Sequence, residues 1–417
     1  MRSLPVVIRA LKRHKIRVVL LVVLITLSMA VTSNAFLIVF SSIGRIDRAS
    51  GVVDKDLFML REQRIIVGST QKKVALDAGK SWIQEDLAAL KKSSYVASVC
   101  VINTLPLTGS NFTSGGIGLK SDQRSSTADI SYYLGSKDIL TTLGLRLVAG
   151  RAFNAEDVTY VESTGLSSPN SIIITQALSN ALFPSGNAVG HQVYLDGGDV
   201  PSTIIGVVDR LQAASVAGWA ESFEWNSVII PAIQVGYTTT YAVRAKEGHL
   251  VEAMLDAKRQ LYSIDRMRII GDKDMSSFES IRRSAYQADF GVAVVIGAIS
   301  VALLTIMAGG VAGASNSWVV QRRRQIGIRR ALGATKAQIA SYFICENMFV
   351  TTMGVMIGCI ASYGVNLYLF ANYGTDHLSL MFLVLSTCVI FAVSFFGALW
   401  SVLRSTAVPP MVATRAN

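Results

Sequence analysis

The pattern of charged and apolar positions divides the chain into four long uncharged stretches and the segments between them. These stretches are residues 18–44, 290–321, 347–375 and 378–403. Each is longer than the roughly 20 residues that cross the hydrocarbon core as a helix. An ionised side chain at the bilayer centre costs about 2.5–3.5 kcal/mol, so the absence of charge is itself informative. The pattern predicts four transmembrane α-helices, over residues 18–44, 290–318, 339–371 and 378–403.

The first stretch also has features of a cleavable signal peptide. A basic segment precedes it, and the small-residue sequence Ser33-Asn34-Ala35 lies near its end. The apolar sequence continues past Ala35 to Phe40, which gives a length typical of a span. We therefore favour a retained first helix.

Basic residues concentrate in three segments beside the spans. Residues 1–17 contain six, the loop 319–338 contains five arginines and a lysine, and the tail 404–417 contains two. Because short basic segments remain in the cytoplasm, both termini and this loop are predicted to be cytoplasmic. Residues 45–289 and the short connection 372–377 are then on the opposite side.

Composition agrees with a membrane protein. Hydrophobic residues make up 51% of the chain and charged residues only 16%, which is too apolar for an ordinary soluble domain. The formal net charge of +11 does not indicate nucleic-acid binding, because the basic residues lie beside the spans. Their position suits the orientation of the spans and contact with anionic lipid headgroups.

The segment 45–289 has the pattern of an α+β fold, in one domain or two small subdomains. Short β-branched runs bounded by turn residues predict strands at 171–175, 202–208 and 227–231. Amphipathic periodicity predicts helices at 80–92 and 249–262. Glycine and serine clusters predict loops at Gly115-Gly116, Gly197-Gly198 and 163–170.

The loop between the second and third spans reads QRRRQIGIRRALGA over residues 321–334, with no acidic residue. On a helix, Arg322, Arg329 and Lys336 recur every seven residues and share one stripe. Gly327 and Gly333 permit a bend or a close approach. The arginines could serve only to fix topology, but that role does not require this glycine and isoleucine pattern.

This loop resembles the signature of the MacB/FtsX/LolCE permeases, the mechanotransmission class of ABC systems. The usual signature has acidic residues where this chain has Gln321 and Gln325. Outside the spans, residues 143–153, 173–183, 189–190 and 205–208 resemble the MacB-type periplasmic domain. Glu346 after the loop and Pro409-Pro410 in the tail also fit, so the resemblance covers nearly the whole chain. The size of the external segment and its motifs favour a MacB-like standalone permease over the smaller FtsX type.

The resemblance implies a permease of a bacterial inner membrane that pairs with a second copy or with a homologous permease. It also implies ABC ATPase subunits that bind ATP and Mg²⁺, so that this chain itself holds no cofactor. A periplasmic adaptor and an outer-membrane channel are further expected partners. The residues expected to contact the ATPase are Arg322, Arg323, Arg324, Gln325, Ile326, Gly327, Ile328, Arg329, Arg330, Ala331, Leu332, Gly333 and Ala334.

In such a machine, ATP hydrolysis moves the periplasmic domains, and the cargo does not have to pass between the spans. The cargo stays open among peptides, antibiotics and lipoproteins. Two other functions also remain: a regulator that activates a periplasmic enzyme, as in the FtsX branch, and a transmembrane sensor. The glutamines in place of acids are compatible with one half of an asymmetric permease pair.

Within the spans, five residues are candidates for transmission or packing. Glu346 is the only acid within the third span, and either a structural hydrogen bond or a part in transmission explains it. Gly309 with Gly313, and Gly354 with Gly358, have the GxxxG spacing that allows close helix packing, between spans or across a dimer.

Signatures of enzymes are weak throughout. There is no GxxxxGK[ST] phosphate loop and no HExxH motif, and the four histidines are scattered, so we predict no catalytic residue and no metal site. Ser69 and Lys72 match an SxxK spacing that often arises by chance. Cys100 is the only cysteine outside the spans, so it has no intrachain disulfide partner there.

Overall fold

A computed structural model describes most of the 417-residue chain. The described residues are 15–46, 48–65, 76–109, 114–121, 123, 125–162, 169–184, 186–216, 218–322, 328, 333, 335–373 and 377–406. The chain divides into two units. One consists of residues 1–45 and 288–417, and the other of residues 46–287.

The described residues contain nine α-helices and fourteen strands. The helices are α1 (Lys15–Ile46), α2 (Leu76–Lys92), α3 (Ile139–Leu143), α4 (Gln176–Leu182), α5 (Leu250–Ile264), α6 (Phe278–Ala285), α7 (Gln287–Gln321), α8 (Lys336–Tyr373) and α9 (Leu380–Thr406). The first seven strands are β1 (Leu57–Arg64), β2 (Val96–Val101), β3 (Ser114–Gly118), β4 (Ala128–Leu134), β5 (Leu147–Gly150), β6 (Thr159–Glu162) and β7 (Ser171–Thr175). The others are β8 (Gln192–Leu195), β9 (Ser202–Val208), β10 (Ser227–Ile230), β11 (Ala232–Val235), β12 (Thr238–Ala245), β13 (Arg268–Ile269) and β14 (Met275–Ser277).

The helices α1, α7, α8 and α9 form the first unit and correspond to the four predicted spans. Their apolar segments are 31, 35, 36 and 21 residues long. At 1.5 Å per residue, even the shortest is long enough to cross about 30 Å of hydrocarbon. Four membrane-spanning helices, with an α+β unit inserted between the first two, confirm the predicted fold class.

The start of α8 is fixed by a reciprocal cap. The Thr335 N–H donates to Oε1 of Gln338 at 3.0 Å, and the Gln338 N–H donates to Oγ1 of Thr335 at 3.3 Å. This is the capping box that a Thr-x-x-Gln sequence forms, and it satisfies two N–H groups that a helix start otherwise leaves without partners. The loop therefore joins α8 at a defined residue.

A four-stranded antiparallel sheet, with β14 added beside β1, forms the first layer of the second unit. Its order is β13-β1-β12-β2. The chain runs β1-α2-β2 and, later, β12-α5-β13, so two βαβ segments interleave as in a ferredoxin-like fold. The helices α2 and α5 contribute apolar side chains such as Ile83, Leu90 and Leu261 to the core on this sheet.

The chain between β2 and β12 forms a second sheet and a small two-stranded one. The larger sheet has the order β5-β9-β7-β10-β4-β3-β8, and β8 also pairs with β9. This extra pairing closes six strands into a ring, which removes the free edges of those strands. The inner cluster of this ring contains Ile117, Ile130, Ile172, Ile174 and Val193, all fully buried.

Most predicted elements of the second unit are confirmed. The strands at 171–175 and 202–208 have the predicted bounds, and the third ends at Ile230 because Pro231 cannot continue the backbone ladder. The two amphipathic helices are present as α2 and α5, with shifted ends. The predicted loop at 163–170 lies outside the described residues except for 169 and 170.

The prediction of a loop at Gly115-Gly116 is wrong, because both glycines lie within β3. A Cβ on Gly115 would be 2.4 Å from the ring of Tyr132, and a Cβ on Gly116 would overlap the hydroxyl of Ser126. Neighbouring side chains occupy the space where these residues would carry their own. These glycines allow close packing within the sheet, and they do not form a turn.

Candidate functional site

The arginine-rich loop is only partly described. Of the residues expected to contact an ATPase, Arg322, Ile328 and Gly333 have described positions. Ile328 is helical and 56% exposed, and Gly333 has a φ of +95°, in the left-handed region that favours glycine. The others lie outside the described residues: Arg323, Arg324, Gln325, Ile326, Gly327, Arg329, Arg330, Ala331, Leu332 and Ala334.

Arg322, the residue that follows α7, forms an ion pair with Glu346 of α8. The Arg322 Nη1 donates to Oε2 of Glu346 at 3.0 Å, and its Nη2 donates to Oε1 at 3.4 Å. Nη1 also donates to the hydroxyl of Tyr342, at 3.3 Å. The side chain of Glu346 is 1% exposed and that of Arg322 is 18% exposed. A two-pronged contact of this kind fixes both direction and distance between the two side chains.

Arg322 has an acidic partner although the loop itself contains no acidic residue. Its partner lies 24 residues away, on the next helix. The acid in the third span was recognised, but only as a residue of uncertain role. An isolated intramembrane acid close to an arginine-rich loop was the available indication that the two would pair.

Further polar contacts join α1, α7 and α8 near the same loop. The Asn347 amide donates to the hydroxyl of Ser315 at 2.8 Å, and both residues are buried. Arg17 donates to the hydroxyl of Ser317 at 2.7 Å. Together with the ion pair, these contacts join α1, α7 and α8 to one another near the end of α7, where the loop begins.

The two glycine pairs occupy different surroundings. A Cβ on Gly354 would be 2.7 Å from Ile25, and a Cβ on Gly358 would be 2.6 Å from Met29, so α8 packs closely on α1 at this pair. The Thr26 hydroxyl donates to the carbonyl of Gly354 at 3.1 Å, which requires the same close approach. Nothing in the described structure lies within 4 Å of a Cβ on Gly309 or Gly313. Close packing of that second pair against another span of this chain was therefore not found.

Replacing Gly354 by alanine is expected to destabilise the helical unit by about 1–3 kcal/mol, because the added methyl overlaps Ile25. Gly364→Ala is the matched control: it makes the same change further along α8, where nothing described lies within 4 Å of the added Cβ. The midpoint of thermal unfolding in detergent should fall for Gly354→Ala and stay or rise for Gly364→Ala. Equal midpoints for the two variants would contradict the packing described here.

A second cluster of charged side chains is buried in the α+β unit. Arg268 donates to Glu62 at 3.1 Å and to Asp86 at 3.0 Å, and Arg64 donates to Asp86 at 2.8 Å. The Tyr241 hydroxyl donates to Asp86 at 2.9 Å. The side chains of Glu62, Asp86 and Arg268 are at most 1% exposed. Each carboxylate accepts hydrogen bonds from an arginine, so this cluster links α2 to the sheet as a structural network.

Burial raises the pKa of Glu62 to about 7, and the neighbouring carboxylate of Asp86 adds to the shift. Arg268 and Arg64 oppose it. Because the folded-state pKa lies above the usual glutamate value of 4.5, the unfolded chain releases this proton first as the pH rises. The contribution to stability is present below pH 4.5 and is lost as the pH rises through 7.

Glu62→Gln tests this directly, since glutamine keeps the neutral form. The wild-type midpoint of thermal unfolding should fall by a few degrees between pH 5 and pH 8, and the fall should be smaller in Glu62→Gln. Gln63→Glu, which adds a carboxylate at the exposed neighbouring position, is the control and should keep the wild-type slope. Identical slopes for wild type and Glu62→Gln would show that Glu62 does not titrate in this range.

Among the described residues, no group of three or more His, Cys, Asp or Glu side chains could hold a metal ion. Burial raises the pKa of the Cys100 thiol to about 12, and this cysteine is fully buried. A thiol with such a pKa is protonated at neutral pH and is a poor nucleophile.

These features define a class of protein: a four-span helical membrane protein with an α+β domain inserted after the first span. Residues 20–261 match the family profile described as the MacB-like periplasmic core domain, and residues 297–410 match the FtsX-like permease C-terminal. The first match covers more than half of the chain. The protein belongs to the family of MacB/FtsX-type ABC transporter permeases, and its inserted unit is a periplasmic domain.

Curated relatives include the macrolide export ATP-binding/permease protein MacB of Chromobacterium violaceum. It is 24% identical over 306 residues, which are 72% of this chain and 43% of that protein. The probable export ATP-binding/permease protein MacB of Pseudomonas entomophila is 27% identical over 371 residues, 87% of this chain and 51% of that protein. The chain thus spans about half the length of these relatives.

Among solved structures, the periplasmic region of MacB from Actinobacillus actinomycetemcomitans is similar to this chain. It has 16% sequence identity and a TM-score of 0.33, and the match covers 58% of this chain and 97% of that one.

Proposed function

We propose that this permease converts ATP hydrolysis by an ABC ATPase into movement of its periplasmic domain. The arginine-rich loop receives the movement, and the helices that flank it carry it through the membrane. The observation that supports this most is the Arg322–Glu346 ion pair. It ties Arg322, the residue that follows α7, to α8, so a displacement of the loop has a rigid path into the span.

Two features make the loop suitable as the receiving element. Its far end is fixed to α8 by the Thr335–Gln338 capping box. Between the two anchors, Arg323, Arg324, Arg329 and Arg330 provide positive charge that an acidic groove can bind. Ile328, exposed at 56%, adds an apolar group to the same segment. A positively charged loop anchored at both ends is suited to couple two proteins.

In this proposal ATP and Mg²⁺ bind to the ATPase, outside the residues of this chain. The relatives in Chromobacterium violaceum and Pseudomonas entomophila are named as ATP-binding/permease proteins, which supports an ATPase partner. The basic segments 1–17, 319–338 and 404–417 support cytoplasmic termini and a cytoplasmic loop. The ATPase would then bind on the cytoplasmic side of the inner membrane.

We further propose a pair of permeases, either two copies of this chain or one copy with a homologue. Among the described residues, nothing lies within 4 Å of a Cβ on the exposed Gly309 or Gly313 of α7, which suits close approach of a second helix. A periplasmic adaptor and an outer-membrane channel would complete an export route. Export of an antibiotic or a peptide is the leading cargo proposal, because the relative in Chromobacterium violaceum is named for macrolide export, and lipoprotein handling is the alternative.

A regulatory role is the second candidate. The profile matched by residues 297–410 is that of the FtsX-like permease C-terminal. In such a role the same movement would activate a periplasmic enzyme and no cargo would be exported. A sensor without an ATPase is the third possibility, and the test below separates it from the first two.

Photocrosslinking from Ile328 tests the coupling proposal. A benzoylphenylalanine at this exposed loop position should form a covalent adduct with the ATPase in native membranes. Met356, 59% exposed on α8, is the control position, because it lies within a membrane span. An ATPase adduct at 328 and none at 356 is expected. Adducts at neither position, in correctly inserted protein, would contradict coupling through this loop.

A further inference from the structure

A cleft of about 550 Å³ lies within the periplasmic domain. Its walls come from β1, β11, β12 and the segment that follows β2. This volume falls within the range of about 300–1,000 Å³ typical of sites that bind small molecules. The cleft belongs neither to the arginine-rich loop nor to the buried charge cluster.

The chemistry of the lining is selective. Five threonines line the cleft, Thr104, Thr108, Thr238, Thr239 and Thr240, and Arg61 is the basic residue among the described lining. No carboxylate lines it among the described residues. Such a lining favours an anion and disfavours a cation, because a cationic ligand would meet Arg61 without a compensating acid.

Arg61 is available for a ligand. It is an exposed residue in the middle of β1 and lies opposite Thr240 of β12 in the sheet. Within the described part of the chain, no carboxylate pairs with its guanidinium. Other arginines of the domain, such as Arg64 and Arg268, are engaged by acids. An arginine left without an acid at the wall of a cleft is suited to hold a carboxylate through two parallel hydrogen bonds.

The spacing of the polar groups fits an extended peptide. Thr238 and Thr240 are two residues apart on one strand and both contribute to the same wall. Positions two apart on a strand are separated by about 6.6 Å, and an extended peptide has the same repeat. Gln234 lies on β11, the strand that precedes β12 in the chain, and its amide offers a donor and an acceptor.

We propose that this cleft binds the carboxyl-terminal end of a short peptide, with Arg61 holding the terminal carboxylate and Thr238, Thr240 and Gln234 bonding the peptide amides. The site would give the periplasmic domain direct contact with a peptide cargo or signal. The inference concerns binding alone and does not rest on coupling to an ATPase. Loss of coupling would therefore leave it intact.

Calorimetric titration of the full chain in lipid nanodiscs tests the proposal. The probes are N-acetyl-trialanine with a free carboxylate and the same peptide with a terminal amide. The acid should bind about tenfold more tightly than the amide, because a charged hydrogen-bonded pair is lost in the amide. Arg61→Gln should reduce the affinity for the acid to that for the amide.

Two further variants distinguish a built site from a general charge effect. Gln63→Ala, on the same strand but outside the lining, should keep the tenfold preference. Thr240→Val, which removes a hydroxyl at nearly constant volume, should weaken both peptides by a similar factor. Unchanged thermal unfolding of Arg61→Gln would show that its effect is on the site and not on folding.

Three results would overturn the proposal. The first is equal affinity for the acid and the amide, and the second is no binding of either peptide by correctly folded protein. The third is displacement of the acid by inorganic phosphate at the same concentration as the peptide, which would show a simple anion site. An acid preference that depends on Arg61 and resists phosphate would support it.

Discussion

Replacing both Arg329 and Arg330 by glutamate is expected to lower ATP-driven activity of the assembled permease by at least about tenfold, while insertion into the membrane stays normal. The change replaces two positive charges with two negative ones in the segment proposed to bind an acidic surface, and like charges that meet in a contact cost several kcal/mol. A tenfold loss corresponds to about 1.4 kcal/mol, well below that cost. ATP hydrolysis by the purified complex and movement of cargo are the two quantities to measure.

Lys12→Glu with Arg13→Glu is the matched control for this double reversal. It makes the same change in charge in another segment predicted to be cytoplasmic. The control should insert normally and keep its ATP-driven activity. The coupling assignment would be wrong if both double variants had wild-type activity, and a general charge effect would be indicated if both lost it.

Glu346→Ala is expected to destabilise the helical unit by about 3 kcal/mol, because it leaves Arg322 without its carboxylate in a mostly buried place. This figure is the lower end of the range for buried pairs, since Arg322 is 18% exposed and water partly solvates it. Glu346→Gln retains a hydrogen-bond acceptor and should be intermediate. The midpoint of thermal unfolding in detergent should be highest for the wild type, lower for Glu346→Gln and lowest for Glu346→Ala.

The double variant Arg322→Met with Glu346→Met separates stability from transmission. Replacing both charges with apolar side chains of similar size often restores stability. If the double variant is stable and keeps ATP-driven activity, the pair serves only the fold. If it is stable and inactive, the pair transmits movement from the loop to α8. Wild-type stability of Glu346→Ala would contradict the described ion pair.

The spans could be predicted from the sequence because the cost of burying charge is local and large. Absence of charged residues was sufficient to locate α1, α7, α8 and α9. The strands at 171–175 and 202–208 could also be predicted locally, because their β-branched residues favour a strand whichever strand pairs with them. Local chemistry determined these elements.

The arrangement of the strands could not be predicted in the same way. The β13-β1-β12-β2 order and the pairing of β3 with β8 depend on contacts between distant segments. The residues of one strand do not specify which strand pairs with it, and the period of its apolar residues indicates only which face is buried. Gly115 and Gly116 were misread for a related reason: the side chains that crowd them, Tyr132 and Ser126, lie on or beside the next strand, β4.

Two contacts of the site involve residues with a recognisable pattern in the sequence, but neither contact was predicted. Glu346 and Arg322 were each recognised, yet their pairing crosses a loop whose path the residues do not specify. The Thr335–Gln338 capping box has a recognisable pattern, Thr-x-x-Gln before an apolar run, and it predicts where α8 begins. By contrast, nothing local indicated that Gly354 would meet Ile25 on α1.

Purification of the tagged chain from its native membrane, with mass spectrometry of the proteins that accompany it, tests the central claim most directly. The account predicts an ABC ATPase in near-equal amount, alongside a second copy of this chain or a homologous permease. An adaptor or a periplasmic enzyme in the same complex would decide between export and regulation. A well-assembled complex that contains no ATPase would contradict coupling through the arginine-rich loop.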